Sequence, residues 1–265
     1  MKNKRIAIIG CGNLGLTIAH GLLDDGFKAT DLSVTRRNTG TLKELAAKGV
    51  MVSTDNPETV KQADVIVLAV KPFNVKPILK EISVSIDVDK HILVCLATGI
   101  TLNELSDWSG KQLPTFRAMP NTAADVNESM TMICDNGASA EQRTYITSLF
   151  DKIGTTLYID ESLMEAATIL GACGIAYVLR FMRAMIQGGI EVGFDAKTAT
   201  AIVSQTMKGA SELIIQNGSH PESEIDKVTT PKGCTITGLN EMEHAGFSSA
   251  LIKGIVASYK KIEKV

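Results

Sequence analysis

Short apolar runs alternate with longer stretches of helical spacing through the first three-fifths of the chain. The runs lie at residues 5–9, 31–35, 63–70 and 91–99, and the segments LPTFRAMPN, SMTMIC and TTLYI add further candidates. Nearly continuous apolar strands are typical of a parallel sheet that helices cover on both faces. About eight strands alternating with helices therefore predict an α/β fold with a doubly wound sheet over residues 1–159.

No strand pattern follows residue 159. Residues 160–193 predict one long helix whose middle is crowded with small residues, and because a helical glycine costs about 1 kcal/mol, another helix or a ligand should approach closely there. Asp195 is a candidate cap for a helix over 196–216, and Ser248 for a last helix that ends at Lys264. We predict that residues 160–265 form an all-helical domain of about five helices that packs against a partner subunit.

Composition narrows the class of protein. The 265 residues are 45% hydrophobic and 21% charged, as in soluble globular proteins, and the net charge of −2 gives no basic field for nucleic acid. Five scattered cysteines without a CxxC pair favour reduced thiols in the cytoplasm over disulfides or zinc. No signal peptide is evident, no metal-ligand spacing occurs, and the apolar run 166–179 is short and glycine-rich, so we expect no membrane span.

A glycine motif opens the chain. Gly10, Gly12 and Gly15 form GxGxxG between the first predicted strand and the first predicted helix, which is the context that a dinucleotide-binding turn requires. Gly10 permits the tight turn, Gly12 lets backbone approach a pyrophosphate, and Gly15 lets the helix pack on the strand. The alternative is a glycine-rich turn without a ligand.

The second strand ends in Thr35, Arg36 and Arg37, where an NAD-binding unit usually carries an acid for the ribose 2′-hydroxyl. Guanidinium groups suit a 2′-phosphate instead, so we predict NADPH, with NADH still possible. Two solvated surface arginines are the alternative. Because ligands lie beyond the carboxyl ends of such strands, the next strand ends are also candidates. These are Ala69, Val70, Lys71, Cys95, Leu96, Ala97 and Asn121.

The segment VTTPKGCTITGLNEME, residues 228–243, gathers three threonines before a predicted helix. One hydroxyl is enough to cap a helix, so a well-capped loop explains only part of the pattern. The unpaired N–H groups of a helix start also favour anions. The segment therefore predicts either a capped loop or an anion site.

The motifs GCGNLG, NPETVKQADVIVLAVKP, RAMPNTAADVNESMT and TTPKGCTITGLNEMEHAG together resemble the Δ1-pyrroline-5-carboxylate reductase family in order and spacing. The resemblance covers essentially the whole chain. It implies a Rossmann-type domain followed by a helical dimerisation domain, a homodimer or higher oligomer, and hydride transfer from NADPH to a cyclic imine carboxylate that gives proline.

The resemblance also implies roles for individual residues. Gly12, Asn13 and Leu14 would bind the pyrophosphate, and Arg36 and Arg37 the 2′-phosphate. The adenosine and ribose side would be lined by Asn56, Ala69, Val70, Lys71 and Pro72, and the nicotinamide by Cys95, Leu96, Ala97 and Asn121. The substrate would be held by Glu161, Lys227, Thr230, Gly233, Cys234 and Thr235. Thr235 would orient the imine nitrogen.

The chain departs from the family pattern at six positions, which are Ala123, Gly171, Cys173, Ile175, Lys232 and Cys234. Two alternatives follow. A related hydroxyacid dehydrogenase would carry a lysine base in the long helix, but residues 163–179 contain no lysine. A non-catalytic NADP-sensing homologue would keep the cofactor site and lose turnover.

Overall fold

The computed structural model describes residues 4–262 and divides them into two compact units. The first runs to Ile175 and takes in residues 261 and 262, and the second comprises Ala176–Lys260. The last strand of the first unit ends at Tyr158. The expected division into residues 1–159 and 160–265 stays a prediction.

The first unit is built on one eight-stranded sheet with the order β3-β2-β1-β4-β5-β6-β7-β8. The strands are β1 Ile6–Ile9, β2 Leu32–Thr35, β3 Met51–Ser53, β4 Val65–Leu68, β5 Ile92–Cys95, β6 Thr115–Met119, β7 Ser129–Asn136 and β8 Gly154–Tyr158. All neighbours pair in parallel except β6 and β7. The direction of winding reverses at β1, which lies between β2 and β4, so the predicted doubly wound sheet is confirmed.

Helices cover both faces of this sheet. They are α1 Asn13–Asp24, α2 Lys43–Ala47, α3 Asn56–Gln62, α4 Pro72–Ile82, α5 Leu102–Ser109, α6 Ala140–Phe150 and α7 Met164–Thr168. In β1, Ile6 and Ile8 belong to one buried cluster, while Ala7 and Ile9 belong to another. Because strand side chains alternate between faces, both faces of β1 are in the core. Side-chain caps mark several of the helix starts, as in α5, where Thr101 and Glu104 form a capping box.

The second unit is helical. Its helices are α8 Gly174–Glu191, which begins in the first unit, α9 Ala196–Asn217, α10 Pro221–Val228, α11 Cys234–His244 and α12 Phe247–Ile262. The predicted Asp195 cap is confirmed, because its carboxylate accepts from the N–H groups of Lys197 and Thr198. The predicted Ser248 cap is wrong. Gly246 ends the preceding turn, so Ser248 lies inside α12 and its hydroxyl contacts Glu243. The expected helix end at Lys264 lies outside the described residues.

The long helix predicted over residues 160–193 is not uniformly α-helical. A π-helical turn, Ile169–Cys173, separates α7 from α8. Gly171 lies in this turn, and a Cβ there would come within 2.5 Å of the Met132 Cε. The close neighbour of Gly171 is therefore a side chain of strand β7, and the expected approach of another helix or a ligand to the small residues stays a prediction. No feature of local sequence distinguishes this turn from an α-helix.

Apolar surface is extensive on the second unit. Within Ala176–Lys260 only Ala199 and Val203 are buried hydrophobic residues. An 18-residue window of the helical stretch Glu161–Glu191 has a mean hydropathy of 1.6 and is only 17% buried, so by length and composition alone the stretch could cross a membrane. The run 166–179 considered in the sequence is shorter than this helix, so its length gives no argument against a span.

Candidate active site

The glycine turn after β1 shows which glycines the fold itself requires. Gly10 has φ +83°, and a Cβ there would lie 2.0 Å from the Val70 Cγ1. A Cβ on Gly15 would lie 3.2 Å from the Ile8 Cγ2. A Cβ on Gly12 would meet nothing nearer than a carbonyl oxygen at 3.8 Å. Packing therefore explains two glycines but not Gly12, whose open side fits a group that approaches from outside the chain.

The N-terminus of α1 adds anion-binding capacity to this turn. Gly12 is the cap residue, no side chain caps the helix, and its first turn contains no acidic residue. The first N–H groups of a helix have no intrahelical partner and favour negative charge. The residues Asn13, Leu14 and Gly15 supply these groups, so the turn fits the predicted pyrophosphate.

Thr35, at the end of β2, holds the glycine turn in place. Its carbonyl oxygen accepts from the N–H groups of Gly10 at 3.1 Å and Cys11 at 2.7 Å. Burial raises the pKa of Cys11 to about 12, although the nearby Arg36 guanidinium opposes the shift. The Cys11 thiol is therefore protonated at neutral pH, and it packs as an apolar group.

Arg36 and Arg37 follow directly. Arg36 donates from Nη1 to the Thr41 hydroxyl at 2.8 Å. Neither arginine has an ion pair with a carboxylate anywhere in residues 4–262. Two cationic side chains without an acidic partner, at the strand end where the ribose-binding acid of NAD proteins lies, favour a 2′-phosphate.

A hydrogen-bonded chain runs outward from Thr35. Its hydroxyl donates to the Asn56 Oδ1 at 2.6 Å, and the Asn56 Nδ2 faces both carboxylate oxygens of Glu81 at 3.2 and 3.3 Å. The Gly10 N–H also approaches the Thr35 hydroxyl, at 3.3 Å. Asn56 was expected from the resemblance, whereas Glu81 was not, because residue 81 lies thirteen positions beyond the end of β4.

The remaining cofactor candidates follow β4 and β5. Lys71 caps α4 through its backbone, and Ala69, Val70 and Pro72 adjoin it. Cys95, Leu96 and Ala97 are buried at the end of β5. Because β2, β1, β4 and β5 are parallel neighbours, the structure brings their carboxyl ends to one edge of the sheet. The individual cofactor contacts stay predictions.

Asn121 is buried and its side chain is engaged within the first unit. The Oδ1 accepts from the Ala123 N–H and the Nδ2 donates to the Gly171 carbonyl, both at 2.9 Å. The backbone N–H donates to the Ser129 hydroxyl at 3.0 Å. Asn121 thus binds the loop after β6 to the π-helical turn. Its expected contact with a nicotinamide stays a prediction.

Glu161 takes part in a buried ionic cluster that sequence analysis did not find. Its Oε1 accepts from the Leu102 N–H at 2.7 Å and from the Arg117 Nη1 at 3.2 Å, and Arg117 Nη2 lies 2.6 Å from the Glu165 Oε1. Burial alone would lower the pKa of Arg117, but the two carboxylates raise it above its usual value. The signal was available in the sequence, because Arg117 is the one charged residue of Thr115–Met119.

A cavity of about 490 Å³ adjoins this cluster and is lined by Leu102, Cys134, Arg143, Tyr158 and Glu161, among others. Arg143 is already paired there with Asp135 at 2.8 Å. The glycine turn lies elsewhere, at the carboxyl end of β1, which has a neighbouring strand on each side. Among residues 4–262, no three His, Cys, Asp or Glu side chains are grouped as metal ligands.

The threonine-rich segment of the second unit forms a tight turn followed by α11. The Gly233 N–H donates to the Thr230 carbonyl at 2.9 Å, with Pro231 second and Lys232, at φ +59°, third. Positive φ at the third position is a feature of a type II turn. A Cβ on Gly233 would lie 2.5 Å from the Thr230 hydroxyl, so this glycine is required. No threonine caps α11, because its cap residue is Gly233.

The hydroxyls of this segment fall into two classes. The Thr229 hydroxyl donates to the Asp226 carbonyl and the Thr237 hydroxyl to the Gly233 carbonyl, each at 3.1 Å. The hydroxyls of Thr230 and Thr235 have no hydrogen-bond partner in the described part of the chain. The two threonines that the resemblance assigns to the substrate are therefore the two with free hydroxyls.

The other substrate candidates lie nearby in sequence. Lys227, in α10, has its Nζ 2.7 Å from the Glu224 Oε1, and its side chain is exposed. Cys234 is an exposed free thiol. The structure therefore supplies turn, helix start and free hydroxyls within the second unit, whereas Glu161 belongs to the first unit.

Two family profiles match the chain in succession. Residues 5–99 match the family described as NADP oxidoreductase, coenzyme F420-dependent. Residues 161–265 match the family described as pyrroline-5-carboxylate reductase dimerisation. The first match covers the glycine turn and the ends of β2, β4 and β5, and the second covers all of α7–α12.

Two curated relatives come from Dictyostelium discoideum. Pyrroline-5-carboxylate reductase 2 is 39% identical over 99% of this chain and 93% of its own length. Pyrroline-5-carboxylate reductase 1 is 40% identical over 97% of this chain, which spans 49% of that relative's length. The crystal structure of Plasmodium falciparum pyrroline carboxylate reductase with NADP bound superposes with a TM-score of 0.91 at 25% identity, over 100% of this chain and 98% of that one.

Proposed function

The chain belongs to the pyrroline-5-carboxylate reductase family, and on that premise we propose that it reduces 1-pyrroline-5-carboxylate to proline with NADPH. It is an oxidoreductase whose first unit binds the dinucleotide and whose second unit contributes the turn before α11 to the substrate site. The reaction needs three things from the protein: a bound cofactor, an oriented imine and a water-poor site.

The observation that carries this proposal is the pair of free hydroxyls on Thr230 and Thr235. Neighbouring threonines in the same segment satisfy their hydroxyls with backbone carbonyls. The hydroxyls of Thr230 and Thr235 are exposed beside a helix start without a side-chain cap, so they are free to bind a substrate with a carboxylate and a ring nitrogen.

We assign the carboxylate to the first turn of α11. The N–H groups of this turn have no capping side chain, and Gly233 leaves room beside the Thr230 hydroxyl. Anions at a helix start are stabilised by these N–H groups and by the helix dipole. Thr230 then adds a hydroxyl donor to the same carboxylate.

We assign the imine nitrogen to Thr235. The reduced nicotinamide supplies hydride to the imine carbon when it is bound. A protonated imine is already an electrophile, so no strong acid need be bound to it, and a hydroxyl that orients the nitrogen is enough. This accounts for the absence of any catalytic histidine from the residues that the family pattern assigns.

The chain forms a homo-oligomer through its helical unit, and we propose a homodimer as its smallest stable form. The apolar side chains exposed on α8, α9 and α12 support this proposal, because soluble proteins rarely leave such large apolar surfaces uncovered. A cytoplasmic location, suggested by the reduced thiols, stays a prediction.

The test is Thr235→Val, which keeps the shape and removes the hydroxyl. We expect the kcat/KM for the imine to fall about 5- to 150-fold, equivalent to about 1–3 kcal/mol, while NADPH affinity is unchanged. The matched control is Thr237→Val in the same helix, whose hydroxyl bonds only a carbonyl. It should leave kcat/KM nearly unchanged.

Equal kcat/KM values for both variants and the wild type would refute the role of Thr235. A wild-type protein that binds NADPH but never oxidises it with the imine would instead support the non-catalytic homologue. Lowered melting temperature in both variants without kinetic change would mean that the threonines are only structural.

A further inference from the structure

The hydrogen-bonded chain from Glu81 to the glycine turn has a fixed direction. A carboxylate can only accept, so the Asn56 amide must present its Nδ2 to Glu81 and its Oδ1 to Thr35. The Thr35 hydroxyl donates to that Oδ1 and is left to accept from the Gly10 N–H at 3.3 Å. Reversing the amide would place two acceptors about 3.2 Å apart, at the observed Asn56–Glu81 spacing.

Glu81 has no cationic partner in this arrangement. It lies in the last turn of α4, which is the less favourable end of a helix for a carboxylate, and no lysine or arginine of residues 4–262 forms an ion pair with it. Among the described residues, its two oxygens accept only from Asn56. The exposed carboxylate therefore remains an uncompensated negative charge beside the Thr35–Asn56 pair.

The Glu81 carboxylate is linked to the end of β2, the position that selects between the two cofactors. NAD-binding units place an acid at the end of β2, where it favours the ribose 2′-hydroxyl and repels a 2′-phosphate. Here Thr35 occupies that strand end, and Glu81 lies two hydrogen bonds away through Asn56. Arg36 and Arg37, directly after Thr35, favour the phosphate instead. The positive charges of Arg36 and Arg37 and the negative charge of Glu81 thus act in opposite directions on the 2′-position of the cofactor.

We propose that Glu81 is a specificity-determining residue that limits the preference for NADPH over NADH, and this rests on the proposed cofactor site. Its negative charge acts against the phosphate that the two arginines attract, while its hydrogen bonds to Asn56 fix the amide for either cofactor. Between the two effects the charge dominates, because the phosphate itself carries nearly two negative charges.

A charge series at residue 81 separates the two effects. Glu81→Gln keeps an acceptor for Asn56 and removes the charge, Glu81→Lys reverses the charge, and Glu81→Ala removes both. Binding of NADPH, NADH, adenosine 2′,5′-bisphosphate and adenosine 5′-monophosphate is measured by calorimetry, without any imine present.

The affinity for NADPH relative to NADH should rise about threefold or more in Glu81→Gln and about tenfold in Glu81→Lys. The bisphosphate should follow the same order relative to the monophosphate, and added salt should reduce both gains. The matched control is Glu141→Gln, which removes an exposed carboxylate of α6 that has no ion pair among the described residues. It should change neither ratio.

Ratios within twofold of wild type across the whole series would overturn the inference, as would equal gains for both cofactors. If Glu81→Ala and Glu81→Lys weaken the binding of both cofactors while Glu81→Gln does not, only the orientation of the Asn56 amide matters. That result also overturns the inference. A wild-type protein that binds no NADPH would refute the proposed function itself. In contrast, normal NADPH binding that does not change with the residue at position 81 would refute only the role of Glu81.

Discussion

In the first unit the strands β1, β2, β4, β5 and β6 are buried along their whole length, whereas the helices of Ala176–Lys260 bury only Ala199 and Val203 among their hydrophobic residues. Both units contain many apolar residues. The first unit buries most of its apolar side chains within the single chain, whereas the second unit leaves most of its apolar side chains uncovered. Folding of the single chain therefore does not by itself bury the apolar surface of the second unit.

The contrast extends to polar groups. In the first unit Asn121, Arg117 and Glu161 have hydrogen-bond partners from elements far apart in sequence. In the second unit the contacts of Thr229 and Thr237 stay within a few residues. The first unit is thus held by long-range contacts, and the substrate-side turn is defined mainly by its own local geometry.

The largest expected effect distinguishes the two kinds of burial. Leu68→Ala in β4, at a fully buried position, should lower the free energy of unfolding by about 2–5 kcal/mol at any protein concentration. Leu251→Ala in α12, where the residue is 43% exposed in the single chain, should cost more on dilution, because the proposed homodimer would cover it with a second copy. Denaturant titrations over a range of protein concentrations measure both.

If Leu251→Ala shows no concentration dependence, the apolar face of α12 is not a subunit contact. If Leu68→Ala shows one, the first unit is not independently packed. Either outcome would remove the distinction between the units.

The next effect concerns the ionic cluster. Glu165→Gln should lower the free energy of unfolding by about 1–3 kcal/mol, because Arg117 is buried and loses one of its two carboxylate partners. Glu191→Gln, at an exposed position of α8, is the matched control and should change stability very little. Thermal unfolding of the two variants, side by side, measures the difference.

If Glu165→Gln leaves the free energy of unfolding unchanged, Glu161 alone is a sufficient partner for Arg117. The first unit would then tolerate changes at its charged positions as easily as the second.

His91 predicts a pH dependence that belongs to the first unit alone. Burial, and then the charge of Lys90, lower the pKa of His91. The unfolded chain therefore binds the proton more readily, and stability falls as pH decreases below about 6.5, by up to about 1.4 kcal/mol per pH unit from this group. His91→Gln should remove that component of the pH dependence.

Denaturant titrations of wild type and His91→Gln between neutral and mildly acidic pH give the comparison. If the free energy of unfolding changes equally with pH in both proteins, His91 is not the source of the pH dependence.

The smallest effect should be a gain in the second unit. Lys232 has φ +59°, a region that costs a residue with a Cβ about 1–2 kcal/mol, and Lys232→Gly should recover about 0.5–1 kcal/mol after the greater entropy of the unfolded glycine is counted. Asn127→Gly is the matched control in the first unit, at φ +58°. Because asparagine tolerates this region better, its gain should be smaller.

Melting temperatures rank the two variants. A larger gain for Asn127→Gly would show that the turn at Lys232 is not strained relative to that in the first unit.

Features with a local signal were predictable from the sequence. The strands that are apolar on both faces, the glycine turn and the Asp195 cap each depend on a few adjacent residues, and each is present in the structure. Ser248 was wrong as a cap for a local reason as well, since Gly246 lets the chain turn two residues earlier than a serine cap would require.

Features that depend on tertiary contacts were not predictable. The π-helical turn has the composition of an α-helix, and it is the contact with Asn121 that engages its Gly171 carbonyl. Glu81 and Glu165 resemble ordinary helix-surface acids until the fold brings Asn56 and Arg117 beside them. For the site, sequence resemblance identified candidate contacts such as Asn56 and Glu161, but not Glu81 and Arg117, which contact those residues.

The distribution of the cysteines has a practical consequence for labelling chemistry. Burial raises the pKa of Cys11 to about 12 and the pKa values of Cys95 and Cys134 to about 11, so these three thiols remain protonated and shielded. Cys234 is exposed at the start of α11, and Cys173 is half-buried in the π-helical turn. A maleimide fluorophore should therefore react first at Cys234. The native chain thus offers a spectroscopic reporter on the substrate-side turn without any engineered residue.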